Sequence, residues 1–169
     1  MENMPFKVGD RVIHPQHGLG EVTDFTVKEF VQGEKRPFYE VSFPGITLWV
    51  PLKLSTSGIR KLSVKSEISR CRKLLEAPAA SLNANPRLRQ VELSDHLKEG
   101  TLASHCEVVR DLSAYGRQNN LNRASANFLK VTQDVLCQEW AAVEEKTLVE
   151  AADEIEALLE KSGQASDGE

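Results

Sequence analysis

Phe6-Lys7-Val8-Gly9-Asp10-Arg11-Val12-Ile13-His14-Pro15-Gln16-His17-Gly18-Leu19-Gly20-Glu21-Val22 starts with a turn, continues into a short apolar segment and breaks at two glycines. The same texture carries on outward. Glu21-Val22-Thr23-Asp24-Phe25-Thr26-Val27 alternates polar and apolar residues, as does Phe38-Tyr39-Glu40-Val41-Ser42-Phe43; alternation is the signature of a half-buried strand. Gln32-Gly33-Glu34-Lys35-Arg36-Pro37 reads as a charged hairpin tip, and Pro44-Gly45 as a second turn before Ile46-Thr47-Leu48-Trp49-Val50-Pro51. Five short strands at spacings of about ten residues suit a small, strongly bent β-barrel. Gly18, Gly20, Gly33, Gly45 and Gly58 fall at its bends, where positive φ is often required.

After Gly58-Ile59-Arg60-Lys61-Leu62 the period changes. Ile68, Cys71, Leu74 and Leu75 have helical spacing, with Ser63 or Ser66 as the expected cap and Ala77-Pro78 as the stop. Residues 79–86 read as a loop. A second helix is expected from about Arg87 to Lys98, closed by Gly100, and a third from about Leu102 to Tyr115, closed by Gly116. Asn122 can cap a long helix carrying Phe128, Leu129, Val131, Val135, Leu136 and Trp140. Thr147 can cap a last helix through Leu148, Ala151, Ile155, Leu158 and Leu159, and residues 162–169 are expected to fray. The fold class expected is therefore α+β in two domains: a five-stranded barrel over residues 1–62 and an all-α bundle of about five helices over residues 63–169.

The chain has 169 residues and a net charge of −4, which taken whole argues against nucleic acid. The charge is unevenly spread. Residues 1–62 carry 8 basic and 7 acidic side chains, residues 63–130 carry 11 and 7, and residues 131–169 carry 2 and 11. A middle of +4 is followed by an end of −9, so the acidity is a C-terminal property. No apolar run is long enough to span a bilayer, and no basic segment followed by an apolar one marks a signal peptide, so a cytoplasmic location is expected.

Catalytic signatures are missing: there is no GxSxG, no Walker-type loop, and Gly18-Leu19-Gly20 lacks the third glycine of a dinucleotide fingerprint. Cys71, Cys106 and Cys137 are odd in number, widely spaced and set in helical patterns, which reads as buried or half-buried thiols. His14 and His17 flank a turn, and His105-Cys106 stands elsewhere, without the paired motifs of a zinc site. The expectation is a protein that is not an enzyme, with no cofactor and no metal.

The 6–22 stretch resembles the opening of the CarD/CdnL bacterial transcription regulators, and Phe38-Tyr39-Glu40-Val41, Val50-Pro51, Ser57-Gly58-Ile59-Arg60 and Glu107-Val108-Val109-Arg110-Asp111-Leu112 extend the likeness to most of the chain. The resemblance implies a Tudor-like barrel, similar to the polymerase-interacting domain of transcription-repair coupling factors, that binds the β subunit of RNA polymerase. It places the contact around Lys28 and Leu48-Trp49-Val50-Pro51; the alternation of Ile46, Leu48 and Val50 with Thr47 and Trp49 puts the first three inward and Trp49 outward. It further implies that the bundle touches promoter DNA at the edge of the melted region, through a Trp wedge and basic residues. The chain departs from that pattern. Pro86 stands at the Trp position, so Pro86 or Leu88 would replace the wedge; Arg87, Arg89, Arg123 and Lys130 would supply phosphate contacts, while Val91 and Ala126 stand where some members are basic. The protein this resemblance implies is a nucleoid-associated monomer with no membrane association, binding RNA polymerase and, weakly and only beside it, promoter DNA. The alternative is an adaptor that has lost the DNA-wedge function.

Overall fold

The computed structural model describes residues 5–52 and 59–166. Gly58, expected at a bend, and the last three residues of the expected frayed tail lie outside them. The chain divides into two compact units, residues 1–62 and 63–169.

The first unit is a five-stranded antiparallel sheet: β1 (Arg11–His14), β2 (Gly18–Val31), β3 (Glu34–Phe43), β4 (Ile46–Pro51) and β5 (Arg60–Lys61), in the order β4-β3-β2-β1-β5. The alternation does the work expected of it. Val12, Val22, Tyr39, Val41 and Val50 point inward with Phe6, Phe43 and Ile59 to form one apolar cluster. Phe6 meets Tyr39 edge-on at 5.6 Å between centroids. Gly20 is required by this packing: a Cβ there would sit 2.5 Å from the Phe43 ring.

Two expectations need correction. The segment 32–37 is not a six-residue tip. Gly33, with φ 88°, makes the turn tight enough for the ladder to run almost to it, so Glu34, Lys35, Arg36 and Pro37 pair with Val31, Glu29, Lys28 and Val27. The backbone N–H of Gly33 donates to Glu29 Oε1 at 2.7 Å, closing the turn. Strands β2 and β3 are therefore 14 and 10 residues long rather than short. Ile46, expected to face inward, shares the inner face with its partner Phe43 but is not buried: at the start of the edge strand β4 it is 41% exposed.

The β1–β2 turn is held by His14, whose Nδ1 accepts the backbone N–H of Gln16 at 3.0 Å and of His17 at 3.2 Å. The His14 and His17 rings lie 4.6 Å apart, and both contact the Phe43 ring. An acceptor Nδ1 must be unprotonated. Burial, and then the neighbouring His17, hold the His14 pKa below its ordinary 6.5.

The second unit comprises α1 (Lys65–Glu76), α2 (Pro86–Leu97), α3 (Leu102–Gln118), α4 (Arg123–Glu144) and α5 (Leu148–Ser166). Asn122 caps α4 by accepting from the Ser125 N–H at 2.8 Å, and Thr147 Oγ1 accepts from the Glu150 N–H at 3.1 Å at the start of α5, both as expected. Neither Ser63 nor Ser66 caps α1; Val64 occupies the cap position without a side-chain bond, and the Ser63 N–H donates instead to the buried Glu139 carboxylate at 3.0 Å. Gly116 does not end α3. The helix runs through it to Gln118, and the missing side chain admits Leu121, whose Cδ1 would lie 3.1 Å from a Cβ. Residues from 162 to 166 are helical, not frayed: Ser162 is buried and donates to the Ala77 carbonyl at 2.6 Å, while Lys161 pairs with Glu76 at 3.1 Å.

The core of this unit joins Ile68, Cys71 and Leu75 of α1, Leu102, Cys106 and Val109 of α3, Leu136 and Trp140 of α4, and Ala151, Ile155 and Leu159 of α5. A second cluster of Leu93, Leu97, Val108 and Leu112 carries α2. No helix among the described residues is long and apolar enough to cross a membrane.

Glu154 is the polar centre of the unit. Its carboxylate accepts from Arg72 Nε at 2.7 Å, Lys146 Nζ at 2.7 Å and Trp140 Nε1 at 3.1 Å, and Arg72 also reaches Glu144 at 3.1 Å. Burial pushes the Glu154 pKa up, but the bonds from Lys146, Arg72 and Trp140 outweigh it and bring it down to about 2.

Two predictions follow from these bonds. Glu154→Gln should lower unfolding free energy by about 1–3 kcal/mol at neutral pH, read from urea melts, since two partly solvated cations lose their partner. A depressed carboxylate contributes fully above its free value of 4.5 and loses that contribution as pH falls toward about 2, so the variant's acid destabilisation should be shallower. For His14, the depressed pKa favours the fold above pH 6.5 and that gain is lost as pH falls below it. A His14→Asn variant, whose amide oxygen can accept the same N–H groups without titrating, should lose less stability between pH 7.5 and 5.5 (on the order of the histidine range) than the unaltered chain.

Candidate functional site

In the first unit the five expected contact residues divide by strand parity. Val50 belongs to the buried cluster, and Leu48 packs against it from a half-buried position. Trp49 is 48% exposed and Pro51 is exposed. Across the ladder Trp49 stands opposite Glu40, Pro51 opposite Phe38, and Lys28 opposite Arg36. Paired residues share a face, so Trp49, Pro51, Phe38, Arg36 and Lys28 all lie on the outer side of the hairpin. Lys28 Nζ sits 3.2 Å from the centroid of the Trp49 ring. The structure thus joins two residues that are 21 positions apart in the sequence, in a cation–π contact that draws the lysine over the ring.

Sequence reasoning missed the surroundings of this pair. Trp49 borders a shallow cavity of about 370 Å³ lined also by Val31, Glu34, Arg36 and Phe38, with Glu34 and Arg36 ion-paired at 3.1 Å. The signal was present in the alternation of Arg36 and Phe38 with the inward Tyr39, but it needed the hairpin's true length. β4 is an edge of the sheet, so one side of its backbone has no ladder partner among the described residues. Pro51 suits such an edge.

In the second unit Pro86, Arg87 and Leu88 form the exposed start of α2. Asn85 Oδ1 accepts the N–H groups of Arg87 at 3.0 Å and Leu88 at 3.2 Å, and Pro86 occupies the first helical position, where its missing donor costs nothing. Leu88 and Val91, one turn apart, are both about half exposed, giving α2 an outward apolar pair besides its inward Leu93 and Leu97. Arg123 and Lys130 are exposed on the first half of α4.

Arg89 is the exception among the expected phosphate contacts, and its role is corrected here. It is 3% exposed, and its Nη1 donates to the Asn83 carbonyl at 3.1 Å and to Tyr115 Oη at 3.0 Å. Its guanidinium is buried, with Nη1 bonded to protein acceptors, so it offers next to no surface to a phosphate.

Arg87 and Arg123 sit in the first turns of α2 and α4, neither of which carries an acidic residue. A cation there opposes the helix dipole, at a cost of about 0.3–1 kcal/mol each. The arrangement sums positive charge at two helix starts and favours an anion outside them.

The thiols offer no comparable chemistry. Cys71 and Cys106 are buried, and burial pushes the Cys106 thiol well above its ordinary value; burial brings Cys137 to about 11. His105 is buried with Nδ1 at 3.1 Å from the Thr101 carbonyl. Among the described residues no three His, Cys, Asp or Glu side chains are arranged to hold a metal ion.

Both units match known protein families. Residues 6–63 match the family profile described as the CarD-like/TRCF RID domain, and residues 70–156 match that of the CarD C-terminal domain. YdeB of Bacillus subtilis (strain 168), named as a transcription factor, is 25% identical over 141 residues, which cover 82% of this chain and 92% of YdeB.

Proposed function

The chain belongs to the CarD-like family of transcription regulators, and from that premise we propose that it docks on the RNA polymerase β subunit through its sheet and steadies opened promoter DNA through weak contacts of its helices. Interaction with RNA polymerase in general is what membership of the CarD/TRCF RID family implies; the β subunit, the DNA contact and the residues are our assignment. The protein acts by binding, without catalysis, as a cytoplasmic monomer.

The observation that carries the docking half is Trp49, half exposed beside the β4 edge and covered on one face by Lys28. A partner strand can add to that edge through main-chain bonds, with Trp49 as the large side-chain anchor and Lys28 and Pro51 beside it. Leu48 and Val50 act from beneath, by fixing which face Trp49 presents. The DNA half is supported by the exposed Pro86-Arg87-Leu88 start of α2 and by Arg123 and Lys130 on α4. Pro86 or Leu88 is the candidate wedge, and the arginines and lysine meet phosphate. With so few cations the contact is weak, and polymerase docking supplies the effective concentration that makes it productive. DNA held better in the opened state than in the closed one shifts that equilibrium toward opening.

The outward Leu88–Val91 pair and the inward Arg89 favour a second reading, an adaptor whose α2 meets protein rather than DNA. A fork-junction DNA shift that weakens with salt supports the first reading; no shift in the presence of polymerase supports the second.

Two outcomes are expected. In a pull-down with the isolated β lobe, Trp49→Ala should weaken binding by about 2 kcal/mol, roughly thirtyfold, and Lys28→Glu should weaken it measurably; wild-type retention by both variants would move the docking surface elsewhere. On a promoter, the unaltered protein should lengthen open-complex lifetime, and Arg87→Ala with Arg123→Ala should remove most of that effect and flatten its salt dependence.

A further inference from the structure

Arg89 is a buried cation that the bundle has not neutralised. Among the described residues no carboxylate lies within ion-pair distance of it, and its Nε has no hydrogen-bond partner. Burying such a group is costly, and a Leu or Met of similar length would fill the space at less cost. What the guanidinium gains is specific. Nη1 faces the carbonyls of Asn83 at 3.1 Å and Ala84 at 3.5 Å, and Tyr115 Oη at 3.0 Å, while Cζ lies 4.4 Å from the Tyr115 ring centroid. Tyr115 belongs to α3, whose Val108, Val109 and Leu112 are fully buried, so one end of this contact is anchored in the core. The other end is the turn that leads into α2.

That turn also carries side-chain hydrogen bonds of its own. The Asn85 N–H donates to Asn83 Oδ1 at 3.0 Å, Asn83 Nδ2 donates to Glu92 Oε1 at 3.3 Å, and Asn85 Oδ1 accepts from Arg87 and Leu88. Pro86, Arg87 and Leu88 form its exposed outward tip. We infer that Arg89 is the positioning residue of this tip: with Tyr115 it clamps the Asn83-Ala84 turn to α3 and so fixes where Pro86, Arg87 and Leu88 meet promoter DNA. The DNA in that statement rests on the proposed function. The clamp itself rests on the contacts alone. A wedge acts only if the scaffold resists being pushed back, and a short, otherwise polar turn needs such a strut to serve.

The test uses the full-length chain and three variants: Arg89→Met removes the fork, Arg89→Lys keeps the charge without it, and Tyr115→Phe keeps the ring without the hydroxyl. Amide hydrogen exchange is read at Asn85, Arg87 and Leu88 against amides in the middle of α4. Arg89→Met should speed exchange at the three turn amides by about tenfold or more while α4 stays within about twofold, with Arg89→Lys and Tyr115→Phe in between. On the promoter the same order of variants should shorten open-complex lifetime, with β-lobe binding unchanged. Turn amides that keep their wild-type rate, or that speed up only in step with α4, overturn the clamp and leave Arg89 as core filling. A loosened turn with wild-type lifetime overturns the positioning role. If the unaltered protein does not lengthen the lifetime at all, the DNA half of the proposed function fails and the positioning of the tip toward DNA fails with it, while exchange still decides whether the clamp exists.

Discussion

The Glu154 carboxylate is the interaction on which the helical unit depends. It gathers donors from α1, α4 and Lys146, two residues past the end of α4, and it sits on α5 itself. Three helices are therefore tied at one point, and α3 lies among them with its apolar residues almost wholly covered. α2 is held differently, by a smaller cluster of leucines and by the Arg89–Tyr115 contact. The unit consequently has a firmly tied body and one helix attached at its side. The same fact changes the meaning of the acidic C-terminal segment. Of its eleven acidic residues, Glu139, Glu144 and Glu154 are internal acceptors, so part of the −9 is spent inside the fold, while Asp134, Glu150, Asp153, Glu156 and Glu160 are exposed on α4 and α5.

In the sheet the governing constraint is parity. Side chains alternate strictly along a strand, so fixing Val50 in the core fixes Trp49 outside it, and the ladder then places Phe38 and Arg36 on the same outer face. A one-residue slip would bury Trp49 and expose Val50. The register is held against that slip by Gly20, whose lack of a side chain lets Phe43 lie flat across β2, and by the tight turns at Gly33 and Gly45. The proposed docking surface is thus a by-product of core packing: the residues that face outward are those the inward row leaves over.

Much of this was legible in the sequence because the signals were local. The strands followed from alternation, the helix starts at Asn122 and Thr147 from capping chemistry, and the burial of Trp140 from its place in an apolar stripe. The misses have one physical character: each depends on a partner far along the chain. Ser63 does not cap α1 because the helix starts one residue too late for it: Val64 holds the cap position, and the Ser63 N–H is bound to Glu139, 76 residues later. Gly116 does not stop α3 because Leu121 packs against it. Residues near 162 stay helical because Ser162 reaches back to Ala77. Arg89 looked like a surface cation because α2 carries apolar residues on two faces, Leu88 and Val91 outward, Leu93 and Leu97 inward, so periodicity could not say which way it pointed. Tyr115, which decides the matter, is 26 residues away.

The charge that drew attention in the sequence is best understood by position rather than sum. Arg87 and Arg123 stand at the positive ends of their helices, each at a small cost to its own helix. Exposed cations of this kind are poor at holding DNA alone, because a few phosphate contacts give affinity that salt readily removes. They suffice when the DNA is already nearby. A protein that first binds a polymerase through a neutral aromatic anchor needs only weak, correctly placed contacts afterward, and stronger ones would favour random DNA over the promoter. On the proposed function, the modest basicity of the α2 and α4 starts, beside an acidic body, is what a contact that works only at the polymerase requires.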